Sequence, residues 1–328
     1  AEGRGGRAAV LLVLTLGAGC TSPRADGLPR ASLITGSTGS SWYSIGSAVA
    51  DRTNGLLGGH PLTAVPGAGG ISNPARIARA PGDFGISFTS FLRAAYRGDA
   101  PYRQAYPELR HVATLIENKL HLVIGEHLGI EDVAELVRRR IPARIGTGPP
   151  GSGEEFLLRE LMVHHGATYE DLRSWGGRVD LLGTGERADA WRDGHIDVIA
   201  FSINDPAPVV AELLTARPGR LAGVDAAARE ALSTKWRAIP HSIPADTYPG
   251  QQAAVPTLGL AAAIFTTAEM PEAMVYAVTR AIAENKPYLE TVHAAFKSWQ
   301  PARMPQSDDV PLHPGAARYY RERSMVGS

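Results

Sequence analysis

Three times in its first 155 residues this chain runs a short apolar stretch into a glycine- and serine-rich turn and then into a helical pattern. Ala31 to Thr35 leads into Gly36-Ser37-Thr38-Gly39-Ser40-Ser41 and a helix from about Trp42 to Thr53. Leu62 to Val65 leads into Gly67-Ala68-Gly69-Gly70-Ile71-Ser72 and a helix opened by Asn73-Pro74, with proline at the first helical position. Ala143 to Gly146 leads into Gly148 to Gly153 and a helix carrying Phe156, Leu157, Leu161 and Met162 on one side. Its start has the capping-box pattern Ser152-x-x-Glu155, which satisfies free backbone donors reciprocally. Short strands alternating with helices predict an α/β fold with mostly parallel sheets. In such sheets ligands bind beyond the carboxyl ends of the strands, where these turns lie. Free backbone N–H groups and the helix dipole suit each turn to a carboxylate or phosphate, at roughly 0.3–1 kcal/mol per dipole.

Further short strands are expected at Phe84 to Phe88 (ending in Thr89-Ser90), Leu120 to Gly125, Val179 to Leu182 and Asp197 to Ile203, with a longer one at Val255 to Phe265. Helices are expected around Trp191, from Pro271 to Glu284 and from Tyr288 to Phe296. The strands near Leu120 and Leu258 are the two points where the chain passes between halves. Two crossings assign residues 31–120 plus 260–328 to one lobe and 121–259 to the other, with a ligand cleft between them.

Several chemistries are excluded on residue grounds. Lys+Arg and Asp+Glu balance at 33 each, so no global field recruits nucleic acid. Gly146-x-Gly148-x-x-Gly151 mimics a dinucleotide fingerprint, but Pro149-Pro150 sit inside it. The same stretch lacks the lysine of a phosphate loop, since Ser152-Gly153 follow instead. There is no Gly-x-Ser-x-Gly elbow, and the ten histidines are scattered. The pair His164-His165 points to different faces of a helix, and no His-Glu-x-x-His or carboxylate cluster suggests a metal. Arg138-Arg139-Arg140 suits the negative end of its helix dipole. In Trp42-Tyr43, one ring is placed to pack in the core while the other faces the cleft. No catalytic residue, cofactor or metal is expected.

The N-terminus reads as an address. Arg4 and Arg7 precede nine mostly apolar residues, Ala8 to Leu16, and then Gly17-Ala18-Gly19-Cys20-Thr21. A positive start, a short apolar core and small residues before a cut are the pattern of a secretory signal. Small residues before a cysteine look like a lipobox, so residues 1–20 are expected to be a lipoprotein signal with Cys20 lipidated. Residues 21–30 read as a tether, and localisation is expected in the periplasm or at the outer face of the cytoplasmic membrane. Removing the leader leaves about 309 residues, enough for two domains.

The sequence resembles the TAXI solute receptors, the substrate-binding proteins of one branch of the tripartite ATP-independent periplasmic (TRAP) transporters. The matching blocks are ITGSTGSSWYSIGSAVADRTN (34–54), VPGAGGISNPARIARAPGDFGIS (65–87), IGTGPPGSGEEFLL (145–158), DVIAFSINDPAPVVAEL (197–213), IPADTYPGQQAAVPTLG (243–259), MPEAMVYAVTRAIAENKPYLETVHAAFK (270–297) and LHPGAARYYRE (312–322). They are collinear and span the mature chain. The resemblance implies a two-lobed, type II periplasmic-binding-protein (Venus-flytrap) fold closing on a small carboxylate or amino acid, glutamate and glutamine among them. It also implies delivery to a TRAP membrane permease without chemistry on the solute. By motif matching, the implied ligand-binding residues are Ser37, Thr38, Gly39, Tyr43, Gly69, Ser72, Ser87 and Thr89 from one lobe. Gly151, Ser152, Gly153 and Asn204 come from the other. Two positions depart from the family pattern: Phe88 where glutamine is frequent, and Glu154 where a small hydroxyl residue is common. Phe88 makes the pocket more apolar. Glu154 either repels a second carboxylate, receives a ligand ammonium, or is a helix-start acid favoured by the dipole. A sensory module with a signalling partner and an exported α/β enzyme acting on a small acid are the alternative functions. The second lacks any convincing nucleophile or acid–base pair.

Overall fold

The computed structural model describes residues 27–327; the leader, Cys20 and the first part of the tether lie outside them. The strands are β1 (Ala31–Ile34), β2 (Leu62–Val65), β3 (Phe84–Phe88), β4 (Leu109–Gly125), β5 (Arg144–Thr147), β6 (Arg178–Leu181), β7 (Val198–Ile203), β8 (Gly219–Ala222), β9 (Ile239–Ile243) and β10 (Val255–Thr267). The helices are α1 (Ser41–Leu57), α2 (Ser72–Arg79), α3 (Thr89–Arg97), α4 (Val133–Arg138), α5 (Gly153–His164) and α6 (Tyr169–Ser174). They continue with α7 (Thr184–Arg192), α8 (Pro208–Ala216), α9 (Ala226–Trp236), α10 (Glu272–Glu284), α11 (Lys286–Val292) and α12 (Pro314–Glu322).

The strands form one sheet ordered β2-β1-β3-β10-β4-β7-β5-β6, with β8 on β4 and β9 on β10. Its flanks are parallel: β2-β1-β3 on one side, β7-β5-β6 on the other. Its centre is not, because β10 runs antiparallel to β3, β4 and β9, and β4 runs antiparallel to β7 and β8. The sheet is therefore mixed rather than parallel throughout. The parallel flanks follow from the helical crossovers that the turns announce; the antiparallel centre follows from the two strands that carry the chain between halves. From Lys119 onward β4 pairs with β7, while before it β4 pairs with β10. Gly259 is the matching point of β10, which pairs with β9 before it and with β4 and then β3 after it.

β4 is 17 residues long, far longer than the expected Leu120–Gly125. Its first part is masked in the sequence by Arg110, His111, Glu117 and Asn118. The burial of His111, Thr114 and Asn118 is eased because one polar atom of each finds a partner. His111 Nε2 lies 3.0 Å from the Met304 carbonyl, Thr114 donates to the Gln306 carbonyl at 2.5 Å, and Asn118 Nδ2 donates to the Ser202 carbonyl at 3.1 Å. The C-terminal helices close over this strand, and the Tyr320 hydroxyl donates to the Val112 carbonyl at 2.5 Å. α1 owes its bounds to Ser40, whose side chain accepts from Tyr43 N–H, and to Gly58 in the left-handed conformation after its last turn.

His121 lies in the second half of β4 within a fully defined donor chain. Ala207 N–H donates to the Tyr248 oxygen at 2.9 Å. The Tyr248 hydroxyl donates to His121 Nε2 at 2.9 Å, and Nδ1–H donates to the Lys119 carbonyl at 3.0 Å. This arrangement requires a neutral ring. Burial lowers the pKa of both His121 and His111 from 6.5 to about 4. Unfolding restores the higher value, so between pH 6.5 and 4 the unfolded chain binds more protons and stability falls as pH falls. Each histidine contributes at most about 1.4 kcal/mol per pH unit across that window. Denaturant titrations at pH 7.5, 5.5 and 4.5 should show this loss, and His121→Gln should flatten it while lowering stability at pH 7.5.

Candidate functional site

A cavity of about 90 Å³ opens where the carboxyl ends of the strands of both halves face one another. A volume of that size has room for several water-sized groups. One side is built by the β1–α1 turn (Gly36, Ser37, Gly39, Ser40), by Ser41 and Trp42 at the start of α1, by Ala68, Gly69 and Gly70, and by Phe88. The other side brings Pro149, Ser152, Gly153, Glu154, Thr184 and Arg187, and Asn118, Phe201, Ser202 and Ile203 from the sheet form its floor. The helices α1, α5 and α7 thus begin at the cavity, with their positive dipole ends towards it.

The two sides touch. Ile71 N–H donates to the Gly151 carbonyl at 2.9 Å, joining the turn before α2 to the turn before α5. Gly69 and Gly151 both have positive φ, 109° and 86°, and each lies where a side chain would strike the opposite turn. A Cβ on Gly69 would come within 3.2 Å of Ser152 Cα, and one on Gly151 within 2.5 Å of Ser72 Oγ. A Cβ on Gly153 would stand 2.5 Å from the Phe88 ring. Aromatic rings continue the contact: Trp42 packs on Phe88 (centroids 4.7 Å), Phe88 on Phe91 (5.8 Å), and Phe91 on Phe156 of α5 (4.6 Å). The structure is therefore that of a closed cleft.

Of the twelve expected binding residues, Ser37, Gly39, Gly69, Ser152 and Gly153 line the cavity. The others stand elsewhere, each for a local reason. Thr38 is exposed at the tip of its turn. Tyr43 stays half-buried on α1, and it is Trp42 that reaches the cavity, because successive helical residues point about 100° apart. Ser72 and Gly151 belong to the seam between turns. Ser87 donates to the Gly70 carbonyl at 2.6 Å and so holds the second turn in place. Thr89 is buried at the first residue of α3. Asn204 donates to the Glu117 carbonyl and lies in a second, roughly 370 Å³ cavity beside the strand crossing. There Lys119 pairs with Asp205 at 2.6 Å, and Glu117 with His241 and Arg303 at 2.9 and 2.7 Å. Those two partners hold the Glu117 pKa down at about 2, the His241 hydrogen bond contributing most.

Sequence reasoning passed over the most unusual group. Arg187 is 1 % exposed, donates through Nη1 to Glu154 Oε1 at 2.7 Å, and lies with its guanidinium 4.5 Å above the Phe201 ring. Its only local signal was Gly183, which caps the start of α7 and so places Arg187 in the first turns of a helix that begins at the cavity. Four buried polar atoms on lining residues have no partner: Trp42 Nε1, Arg187 Nε, Asn118 Oδ1 and Ser202 Oγ. An unsatisfied buried donor or acceptor costs about 1–3 kcal/mol, so each of these four is a point where a polar partner would be stabilising. No lining residue is a histidine, lysine, cysteine or aspartate. Among the described residues no cluster of three or more His, Cys, Asp and Glu stands ready for a metal.

The NMT1-like family profile matches residues 33–323. The chain belongs to the NMT1-like family. The solved structures similar to this NMT1-like protein include MatC (Rpa3494) from Rhodopseudomonas palustris with bound malate. That structure has a TM-score of 0.54 at 14 % identity, covering 91 % of this chain and 97 % of that one. The periplasmic binding protein BugD has a TM-score of 0.54 at 9 % identity, covering 92 % and 94 %. A further periplasmic transporter structure gives 0.52 at 13 %, again covering 92 % and 94 %. What these likenesses establish for the NMT1-like protein is the fold, the α/β architecture of periplasmic binding proteins.

Closure is testable at the seam. Gly153→Ala leaves helix propensity improved but forces Phe88 to move by about 1 Å, at a cost to the closed form of about 1–3 kcal/mol. The expected result is a larger radius of gyration by small-angle scattering with the fold retained; a profile superimposing on wild type would show that this contact does not hold the cleft shut.

Proposed function

We propose that this protein is an extracytoplasmic solute-binding receptor of the TAXI branch, capturing a small carboxylate-bearing molecule and presenting it to a TRAP membrane permease. The observation that carries the reading is the cavity between facing turns, with unpaired donors on Trp42 and Arg187 among aromatic walls. A carboxylate there accepts from backbone N–H groups and serine hydroxyls at the start of α1, where the first helical turn holds no acidic residue. Trp42, Phe88 and Phe201 cover the remainder of the solute. Malate in MatC, a protein of like fold, supports the ligand class. The collinear TAXI blocks support the branch, and residues 1–20 with Cys20 support anchoring at the outer face of the membrane. In this reading residues 31–120 plus 260–328 and 121–259 are lobes hinged at β4 and β10, and solute shifts the population from open to closed. The permease recognises the closed form. Nothing on the cavity wall pairs a nucleophile with a base, which favours a receptor over an enzyme.

The test is a thermal-shift and calorimetric screen of amino acids, monocarboxylates and dicarboxylates on protein beginning after Cys20. A bound solute at 100-fold excess over its Kd stabilises by about 2.7 kcal/mol. Trp42→Phe, which removes the indole N–H and keeps an aromatic ring, should then weaken binding by about tenfold with little change in unfolding. If no small carboxylate raises the melting temperature, the ligand class is wrong.

A further inference from the structure

We propose that Glu154 is the specificity filter of this cavity: the chain's own carboxylate fills the anion position of the second lobe and so excludes solutes that carry two acid groups. The inference rests on the receptor reading above and names the solute within it. Two turns in the second lobe could bind an anion, those before α5 and α7, and each already holds an acid. Glu186 accepts from Gly183 N–H at 2.8 Å at the start of α7. Glu154 folds back over the start of α5, its Oε1 lying 2.4 Å from where a Cβ on Gly148 would stand. The same oxygen takes the Nη1 hydrogen bond of Arg187 at 2.7 Å, and the two side chains are 13 % and 2 % exposed. The first lobe is the opposite case. α1, α2 and α3 have no acidic residue in their first turns, and Ser37, Ser40 and Ser41 line the cavity beside them.

The charge on the cavity wall follows from this asymmetry. Its lining residues carry one cation and one anion, Arg187 and Glu154, already joined. A solute with one carboxylate seats that group at the start of α1, where nothing of like charge competes. A second carboxylate reaching across the cavity meets the free oxygen of Glu154, and the one cation that could receive it, Arg187, is already engaged by that carboxylate. Arg187 engages Oε1 of Glu154, leaving Oε2 to accept a hydrogen bond, and Asn118 Oδ1 is a second acceptor without a donor. The position opposite the carboxylate therefore takes a donor, an amide, hydroxyl or ammonium, in place of an acid.

Matched pairs that differ only by an amide in place of one carboxylate isolate this effect, and glutamine against glutamate and succinamate against succinate are two such pairs. Calorimetry on protein beginning after Cys20 should show the amide member binding on the order of tenfold to a hundredfold more tightly. Glu154→Gln keeps the shape, frees Arg187 for a second carboxylate, and should abolish or reverse that preference. The double variant Glu154→Gln, Arg187→Gln removes both charges; the preference should shrink but not reverse, and this variant decides the matter if the single one does not fold. Equal affinity of wild type for both members of a pair, or an unchanged ratio in the variants, overturns the filter and leaves the receptor reading standing. Binding of neither member of any pair, by wild type or variants, overturns the receptor reading and the filter with it.

Discussion

The ladder between β4 and β10 is the constraint on which the rest of this molecule depends. Both strands are long enough to pair in each half, and they run antiparallel through the centre of one sheet. Because they are antiparallel, the parallel flanks on either side are built in opposite senses, and the carboxyl ends of the two flanks come face to face. That single arrangement sets the strand-to-helix turns of one half against those of the other. The cavity, the inward dipoles and the seam between Ile71 and Gly151 are its consequences. A fully parallel sheet of the same elements would have put all the turns along one edge with nothing opposite them.

Close approach then decides which residues the turns can hold. Gly69, Gly151 and Gly153 stand where a backbone, hydroxyl or ring atom of the opposite half lies within 2.5 to 3.2 Å of any added Cβ. Glycine at these positions serves the contact between halves at least as much as the turn itself. The polar groups left over, on Trp42, Arg187, Asn118 and Ser202, form a ring of incomplete hydrogen bonding around a small apolar space. Such a ring is costly in an isolated core and useful in a site whose partner arrives from outside.

Much of the α/β framework was legible in the sequence because it rests on local signals. The turns announced α1, α2 and α5, and Ser40 and Ser152 do accept from backbone N–H groups at the helix starts. What was not legible depends on distant partners. The first part of β4 hides behind polar residues whose burial makes sense only beside Met304 and Gln306, nearly two hundred residues away. Strands β8 and β9 are short, partly exposed and meaningful only as neighbours of β4 and β10. Within the candidate site, glycines and serines of the turns were readable from their spacing. Arg187 was not, since its role depends on Glu154 lying 33 residues earlier and on the ring of Phe201. Trp42 against Tyr43 was a matter of helix phase, which a pair of adjacent aromatics leaves open.

The place of β10 in the sheet also sets a schedule for making the protein. Chains emerge from synthesis with the N-terminus first, and segments fold when their partners exist. Strands β1, β2 and β3 are complete by residue 88, yet the neighbour that covers the open side of β3 is β10, which begins at Val255. For most of the time the chain is being made, the first half therefore carries an unpaired strand edge, a template for pairing with the wrong partner. The second half has its strands β5 to β9 in one contiguous run and waits far less. In a chain that emerges in order of its numbering, that edge of β3 stays without its neighbour until the last quarter of the sequence is available.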